Sequence, residues 1–457
     1  MYSDNFMIST DTIAAIATPP GEGGIAIIRL SGSKSISIAT QMFSKRIEHV
    51  LSHTLHFGKF LDLSGQVIDT GLTAIMHAPN SYTGEDVIEF HCHGNTIIAE
   101  TILMRAIELG ARIAHPGEFT FRAFKNGKMD LAQAESVQSV ISAKSSLALQ
   151  AAQTQLQGHL SNHINNFKKE LLNISAHIEV WIDYPEENLD PILMRSIQTG
   201  IANLHSKIKQ LIDRFNDGDK LFTGYRIGLI GSPNVGKSSL MNALLKKNRV
   251  IVTDIPGTTR DVIEEELILG SLYCKLIDTA GLRNTKDIIE KAGIIKTKET
   301  LDSADLILFL LDASREISNE EREILAGLPI SSTLIVWNKI DLVDPSIIPP
   351  DMPYGIIPIS AMKGLHIDSL QQAIQGKLQK NPLDKDEIII TKKRHLSALQ
   401  KTLLALDQIQ KSLSDERSPE LIASDLREAL ECLSTFFGNN VSEDILENIF
   451  STFCVGK

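Results

Sequence analysis

The chain has 457 residues, enough for roughly three domains, and its 43% hydrophobic content suffices for full cores. Fifty-six acidic against 45 basic side chains give a net charge of −11, which excludes indiscriminate nucleic-acid binding through a basic surface and leaves room only for a local basic groove. Four scattered cysteines without a C-x-x-C pair exclude a zinc ribbon or disulfide framework, and polar leading residues with no run of ~20 apolar ones point to no signal peptide, no membrane span and a reducing, cytoplasmic setting.

Residues 1–122 read as a compact α+β domain. Strand-like runs occur at Ile25–Ile28, closed by Arg29 and a Ser31-Gly32 turn, and at Leu55–Leu61, Leu72–Met76 and Val87–Phe90. A helix is expected over Thr96–Leu109, with Gly110 at its stop. Pro19–Gly24 and Ser81–Asp86 are turn clusters. His91-Cys92-His93 invites a metal reading, but one tetrahedral site needs partners from elsewhere, and a strand end entering a turn is the simpler account.

Residues 123–222 form the first part of a helical domain. Leu156, Leu160, Ile164, Phe167, Leu171, Ile174, Ile178 and Ile182 recur every three or four positions, one apolar stripe along a long helix. The segment from Asp183 to Glu187 ends it. A second helix is expected over Pro191–Phe215, and Asp217-Gly218-Asp219 marks a boundary.

Residues 223–379 carry the strongest signal. The apolar run Ile227–Ile230 stops at Gly231 and a helical pattern starts at Lys237, which places G-x-x-x-x-G-K-S between a strand and a helix. Gly231 and Gly236 let the backbone turn its N–H groups toward phosphate oxygens. Lys237 supplies a point charge and Ser238 a hydroxyl for Mg²⁺; Asn234, Val235 and Ser239 complete the phosphate-binding stretch. Asp278-Thr279-Ala280-Gly281 follows a second apolar run, with Asp278 placed to hold Mg²⁺ through water and Gly281 to offer an N–H to a terminal phosphate. Asn338-Lys339-Ile340-Asp341 follows a third. Asp341 can accept the paired donors of guanine, which adenine lacks, so the site selects GTP over ATP. Ser360-Ala361 suits a backbone contact to the guanine oxygen. Alternating strands and helices predict a parallel sheet covered on both faces, a Ras-like P-loop GTPase domain.

The residue after the Asp-x-x-Gly motif is Leu282, which cannot orient an attacking water as a glutamine does. Glu290 is the substitute, or else a solvated glutamate at a helix start. Thr253 to Asp261 supply the first switch, where Thr258 or Thr259 completes the Mg²⁺ shell. The Asn234 side-chain carbonyl, with carbonyls of that switch, can hold a monovalent cation against the phosphates, placing charge where an arginine finger otherwise acts.

Residues 380–457 return to helix. Leu396, Leu399, Leu403, Leu406 and Ile409 share one face, Leu421, Leu426, Leu430 and Leu433 another, and Ser442 can cap a helix running to Phe450. Since neither helical part has a core of its own, a single bundle interrupted by an inserted GTPase domain is expected. Lys392-Lys393-Arg394 is a nucleic-acid contact or a solvated helix end. The stretch Phe450 to Lys457, with a thiol at Cys454, is an ordered functional end or a frayed one.

The loop with Asn234, the stretch Gly257 to Asp261, Asp278 to Arg283, the segment from Ala17 to Gly32 and Cys454-Val-Gly-Lys457 together resemble the tRNA-modification GTPases of the MnmE (TrmE) family, from one end of the chain to the other. The resemblance implies a multidomain fold: an N-terminal folate-transferase-like α+β domain that dimerises, an all-α helical bundle and an inserted GTPase domain. It implies a 5-formyltetrahydrofolate-type cofactor held by Arg29, Glu89, Lys128 and Lys457, and a catalytic role for Cys454. It also implies K⁺ at Asn234, Thr253, Ile255 and Thr258, Mg²⁺ at Ser238 and Thr259, a catalytic Glu290, and nucleotide contacts along Thr253, Asp254, Ile255, Pro256, Gly257 and Thr258. The implied activity is K⁺-activated GTP hydrolysis in a homodimer that joins an FAD-dependent partner, MnmG (GidA), as a heterotetramer. Together they modify C5 of the wobble uridine of certain tRNAs. Asn95 stands where the family pattern leads one to expect a second glycine. A regulatory GTPase of ribosome assembly, or a folate transferase with a regulatory GTPase insert, are the alternatives; the first needs neither the folate-type domain nor the Cys454 tail, and the second works without the flavoprotein.

Overall fold

The computed structural model describes residues 11–184, 191–248, 264–278, 304–344, 352–379 and 388–457. Contacts divide the chain into two units, one of Met1–Gln138, Gln155–Leu204 and Lys401–Lys457, the other of Ser139–Thr154 and His205–Gln400.

The first unit contains a six-stranded sheet in the order β3-β4-β5-β2-β1-β6. Its strands are β1 (Thr12–Ile16), β2 (Gly23–Ser31), β3 (Thr54–Leu61), β4 (Val67–Met76), β5 (Val87–Gly94) and β6 (Ala111–Ile113). All pairs are antiparallel except β1 with β6. Alternation turns Ala26, Ile28, Leu30, Phe60, Ile75, Ile88 and Phe90 into a core covered by α1 (Ser35–Met42) and α2 (Thr96–Glu108). The opposite face carries Arg29, opposite Glu89 in the β2–β5 register, and the exposed Leu55, Phe57 and Leu72. β1 and β6 escaped the sequence reading because one is rich in alanine and the other has three residues. β5 also runs through Gly94 rather than turning at His91. Its alternation buries Cys92 between outward His91 and His93, so these three side chains do not converge on one ion; His91 meets Glu89 and His93 meets Asp69. Asn95 accepts from the N–H groups of Ile97 and Ile98, capping α2, and this explains an asparagine in place of glycine.

Helices α3 (Glu118–Lys125), α4 (Leu131–Ser142), α5 (Ser146–Leu156), α6 (His159–Asp183) and α7 (Pro191–Asp213) follow in sequence. The apolar stripe starts at Leu160, not Leu156, because Gly158 adopts φ +84° between α5 and α6. Later in the chain come α12 (Lys393–Ser414), α13 (Pro419–Ser434) and α14 (Glu443–Ser451), and α6 packs along α13, joining the two helical stretches. The buried face of α13 is Ile422, Ala423, Leu426, Ala429 and Leu433, with Leu421 exposed. Of the expected face, Leu426 and Leu433 are buried and Leu430 is half-buried, while Ile422 takes the place expected for Leu421. Ser442 occupies the N-cap of α14 but makes no side-chain capping bond.

In the second unit α8 (Phe215–Thr223) leads to a sheet in the order β12-β11-β10-β7-β9-β8. The strands are β7 (Tyr225–Ile230), β8 (Glu264–Leu269), β9 (Leu272–Asp278), β10 (Leu306–Asp312), β11 (Thr333–Asn338) and β12 (Gly355–Pro358), accompanied by α9 (Lys237–Asn248), α10 (Asn319–Ala326) and α11 (Ile367–Leu378). The expectation of a purely parallel sheet is corrected at one edge, where β8 pairs antiparallel with β9 in a tight hairpin. β10 and β11 are buried throughout, as strands with both faces covered must be. Asp217-Gly218-Asp219 is not a boundary but lies inside α8: a side chain on Gly218 would collide with the Ile390 carbonyl and the Ile389 side chain, so glycine serves close packing there. Leu147 of α5 packs on the sheet core, and Lys144 bonds Glu266 of β8 and the Tyr273 hydroxyl of β9.

Candidate functional site

β7 sits between β10 and β9, and its C-terminal end opens into the loop that begins α9. Within that loop Lys237 folds back, its Nζ donating to the carbonyls of Gly231 (2.6 Å) and Ser232 (3.0 Å). Asn234 takes φ +64° and Gly236 φ +100°, turning successive peptide units inward. Val235 is buried and anchors the loop in the core, while Ser238 and Ser239 are exposed on the first turn of α9, whose leading N–H groups have no partner within a helix.

Asn338, at the end of β11, is 2% exposed and holds two loops at once. Its Nδ2 donates to the Val235 carbonyl at 2.8 Å, and its Oδ1 accepts from the Ala361 N–H at 3.0 Å. A Cβ on Gly236 would run into that Nδ2, so only glycine permits the approach. Lys339 has φ +68° and donates from Nζ to Asp312 Oδ2 at 2.6 Å. Burial alone would raise the Asp312 carboxyl, but hydrogen bonds from Lys339 and Ser314 outweigh it and hold it below the usual carboxylate range. Asp341 is exposed on a short 3₁₀ turn, free of the core, and Ser360 Oγ accepts from the Lys363 N–H. Asp278 ends β9, opposite Leu229 of β7. The structure thus brings Asn234 to Ser239, Asn338 to Asp341 and Ser360-Ala361 to the same sheet end. Thr253, Asp254, Ile255, Pro256, Gly257, Thr258, Thr259, Thr279, Ala280, Gly281 and Glu290 lie outside the described residues.

A second constellation lies on the outer face of the first unit's sheet. Arg29 Nε donates to Glu89 Oε1 at 2.8 Å, and its Nη1 donates to the Gly456 carbonyl at 3.1 Å. The guanidinium carbon lies 5.7 Å from the ring centroids of both Tyr82 and Phe119, within cation–π range. The tail is ordered: Gly117 N–H donates to the Cys454 carbonyl (3.4 Å) and Phe119 N–H to the Lys457 carbonyl (3.2 Å). Phe453 is buried with Phe450 against α3 and α4, whereas the Cys454 thiol is exposed. Arg29, Glu89 and the tail that ends in Lys457 therefore come together. Lys128 instead donates to the Pro79 carbonyl at 2.9 Å.

On this same face Arg122, 8% exposed, bonds Asp11, Glu85 and Glu118, and Glu118 also takes Arg112. This charge network fixes the start of α3, which presents Gly117 and Phe119 to the tail. Sequence reading missed it, since its members are far apart in the chain. It also missed the aromatic pair around Arg29, for which Tyr82 in a turn cluster was the only signal. Near Lys392-Lys393-Arg394 the Lys392 ammonium lies 6.0 Å from the Phe222 ring and Arg394 meets His395. Among the described residues no helix is long and apolar enough to cross a membrane.

Comparison with known proteins extends over both units. The family model described as GTP-binding protein TrmE N-terminus matches residues 12–128, and that described as MnmE helical domain matches residues 131–454. A tRNA modification GTPase MnmE of Protochlamydia amoebophila is 45% identical over 448 residues, 98% of each chain. One of Clostridioides difficile is 43% identical over 460 residues, 99% of this chain and all of that one. Among solved structures, Aquifex aeolicus Era bound to GDP and AlF₄⁻ is 28% identical with a TM-score of 0.26, covering 39% of this chain and 66% of that one. Matched by family models on both sides of residue 130 and by relatives along nearly their entire length, the chain belongs to the MnmE family of tRNA modification GTPases.

Proposed function

We propose that this GTP-hydrolysing enzyme couples GTP turnover to the modification of C5 of the wobble uridine in certain tRNAs, working as a homodimer with an FAD-dependent partner of the MnmG (GidA) type. The observation that carries the nucleotide half is the Asn338 bridge: one buried side chain ties the phosphate loop to the Ser360-Ala361 turn, leaving Asp341 exposed beside them for the base.

The residues suit the groups they would hold. The inward-turned loop and Lys237 would cradle the β- and γ-phosphates of GTP, and Ser238, exposed at the head of α9, would ligate Mg²⁺, which screens the charge that develops on the phosphates. Asn234, exposed at positive φ, would offer its side-chain carbonyl to K⁺, together with Thr253, Ile255 and Thr258. Glu290 would orient the water that attacks the γ-phosphate. GTP turnover in potassium is expected to exceed that in sodium several-fold; equal rates would remove the cation from the scheme. Glu290→Ala should slow hydrolysis while sparing nucleotide affinity, and equal loss of both would mean a structural role.

On the first unit, Arg29 and Glu89 form a donor–acceptor pair framed by Tyr82 and Phe119, a setting that fits the flat polar ring of a 5-formyltetrahydrofolate-type cofactor; Lys457, on the docked tail, would be a third contact, and Lys128 would have to leave the Pro79 carbonyl to be a fourth. Such a cofactor would supply a one-carbon unit; the protein would orient its ring. Leu55, Phe57 and Leu72, exposed on the same sheet face, support pairing with a second copy. Cys454 is exposed beside this site and is assigned to the transfer chemistry. Mass spectrometry of tRNA nucleosides from cells lacking the protein tests the whole reading: wobble uridines that remain fully modified, with no redundant enzyme present, would overturn it.

A further inference from the structure

We infer that Glu321 is a positioning residue for the nucleotide, acting on the phosphate loop through Ser232. The inference rests on the reading of this loop as a GTP site and extends it to a residue outside every nucleotide motif of the sequence. Glu321 belongs to α10 and caps it: Ser318 Oγ accepts from the Glu321 N–H, and Glu321 Oε2 accepts from the Ser318 N–H at 2.9 Å. A capping glutamate is ordinarily exposed, yet this one is 1% exposed. Its Oε1 accepts from Ser232 Oγ at 2.8 Å and Arg315 Nη2 at 2.6 Å, and its Oε2 also takes Arg315 Nη1 at 3.0 Å. Both oxygens are doubly engaged, so the carboxylate has one orientation.

The consequence falls on Ser232. Its hydroxyl is gripped by Glu321 while its carbonyl is gripped by Lys237. At the other end of the loop, the Val235 carbonyl is gripped by Asn338. Between these grips the backbone from Pro233 to Gly236 has little freedom left, so its N–H groups await phosphate already turned inward. Arg315 neutralises the carboxylate that performs this task, which matters beside a site for an anionic ligand.

The test compares binding of a fluorescent GDP analogue to the full chain and its variants. Ser232→Ala removes only the grip on the loop and leaves the cap and the Arg315 pair intact. It should weaken affinity on the order of ten-fold, with a rise in KM for GTP larger than the fall in kcat and a smaller fall in the Tm of the nucleotide-free chain than Glu321→Ala causes. Combined with Glu321→Ala it should add little to the loss from Glu321→Ala alone, because both act through one bond. Glu320→Ala, exposed one residue away, should change nothing. Unchanged affinity in Ser232→Ala, or fully additive losses, would overturn the inference. A wild-type chain that fails to bind GDP at all would instead overturn the GTPase reading.

Discussion

Replacing Gly456 by alanine should release the tail from the Arg29 site. Gly456 adopts φ +94°, a conformation that costs an L-residue about 1–2 kcal/mol. A Cβ there would stand 2.7 Å from the Ile16 carbonyl oxygen and 2.8 Å from Ala17 Cα, both backbone atoms at the end of β1 that cannot step aside as a side chain would. Opposing this, docking rests on the Arg29, Gly117 and Phe119 hydrogen bonds at about 0.5–1.5 kcal/mol each, and on burial of Phe453, worth about 1.5–3 kcal/mol. The strain and overlap together forfeit on the order of 3 kcal/mol, about half of that sum, which raises the undocked population roughly a hundred-fold. Hydrogen exchange at Gly117 and Phe119, whose N–H groups are covered by the tail, should accelerate accordingly. GTP turnover should stay at the wild-type rate while tRNA modification falls. Wild-type exchange at both amides in Gly456→Ala would refute the reasoning, since the strain and overlap would then have been absorbed without moving the tail.

Asn338→Ala should leave a buried Val235 carbonyl and a buried Ala361 N–H unpaired, about 1–3 kcal/mol each, and cut GDP affinity at least ten-fold by equilibrium titration. Burial pushes the Glu321 carboxyl up, but Arg315, the Ser318 N–H and Ser232 hold it at about 2 against an ordinary 4.5. Because the folded value is depressed, its contribution is complete above about pH 4.5 and is lost as pH falls toward 2; it amounts to roughly 3 kcal/mol, and denaturant titrations of wild type and Glu321→Gln should converge as pH falls through that window. Phe450→Ala removes the ring shared by Phe121, Phe124 and Phe453 and should destabilise the first unit by about 3–5 kcal/mol in urea unfolding. Lys144→Ala should cost about 1 kcal/mol in the second unit by the same measurement, since its partner Glu266 stays partly solvated.

Local chemistry was legible before any coordinates. The G-x-x-x-x-G-K-S turn, the helix expected over Thr96–Leu109 and found over Thr96–Glu108, and the main stripe of α6 follow from spacing alone, because each depends on neighbours within one or two turns. What depended on distant partners was not. Nothing in Asn338-Lys-x-Asp says that the asparagine bonds Val235, 103 positions away. The Ser318–Glu321 capping box went unread, and the reach of Glu321 to Ser232 depends on α10 placing Leu325 in one cluster with Ile230, Phe309 and Ile335. Likewise Gly218 looked like punctuation and proved to be a packing residue, since the chain that crowds it arrives only at Ile389.

The bridge made by Asn338 has a thermodynamic corollary. On the proposed GTP reading, a polyphosphate on the loop would also steady the Ser360-Ala361 turn, since Asn338 bonds both, and the two halves of a nucleotide would not bind as independent fragments. Guanosine would meet a turn tied to the loop by Asn338, and pyrophosphate should therefore improve its binding in place of competing with it. Discrimination between purines then belongs to the loaded frame as a whole: whatever loosens the hold on phosphate also blunts the choice of base.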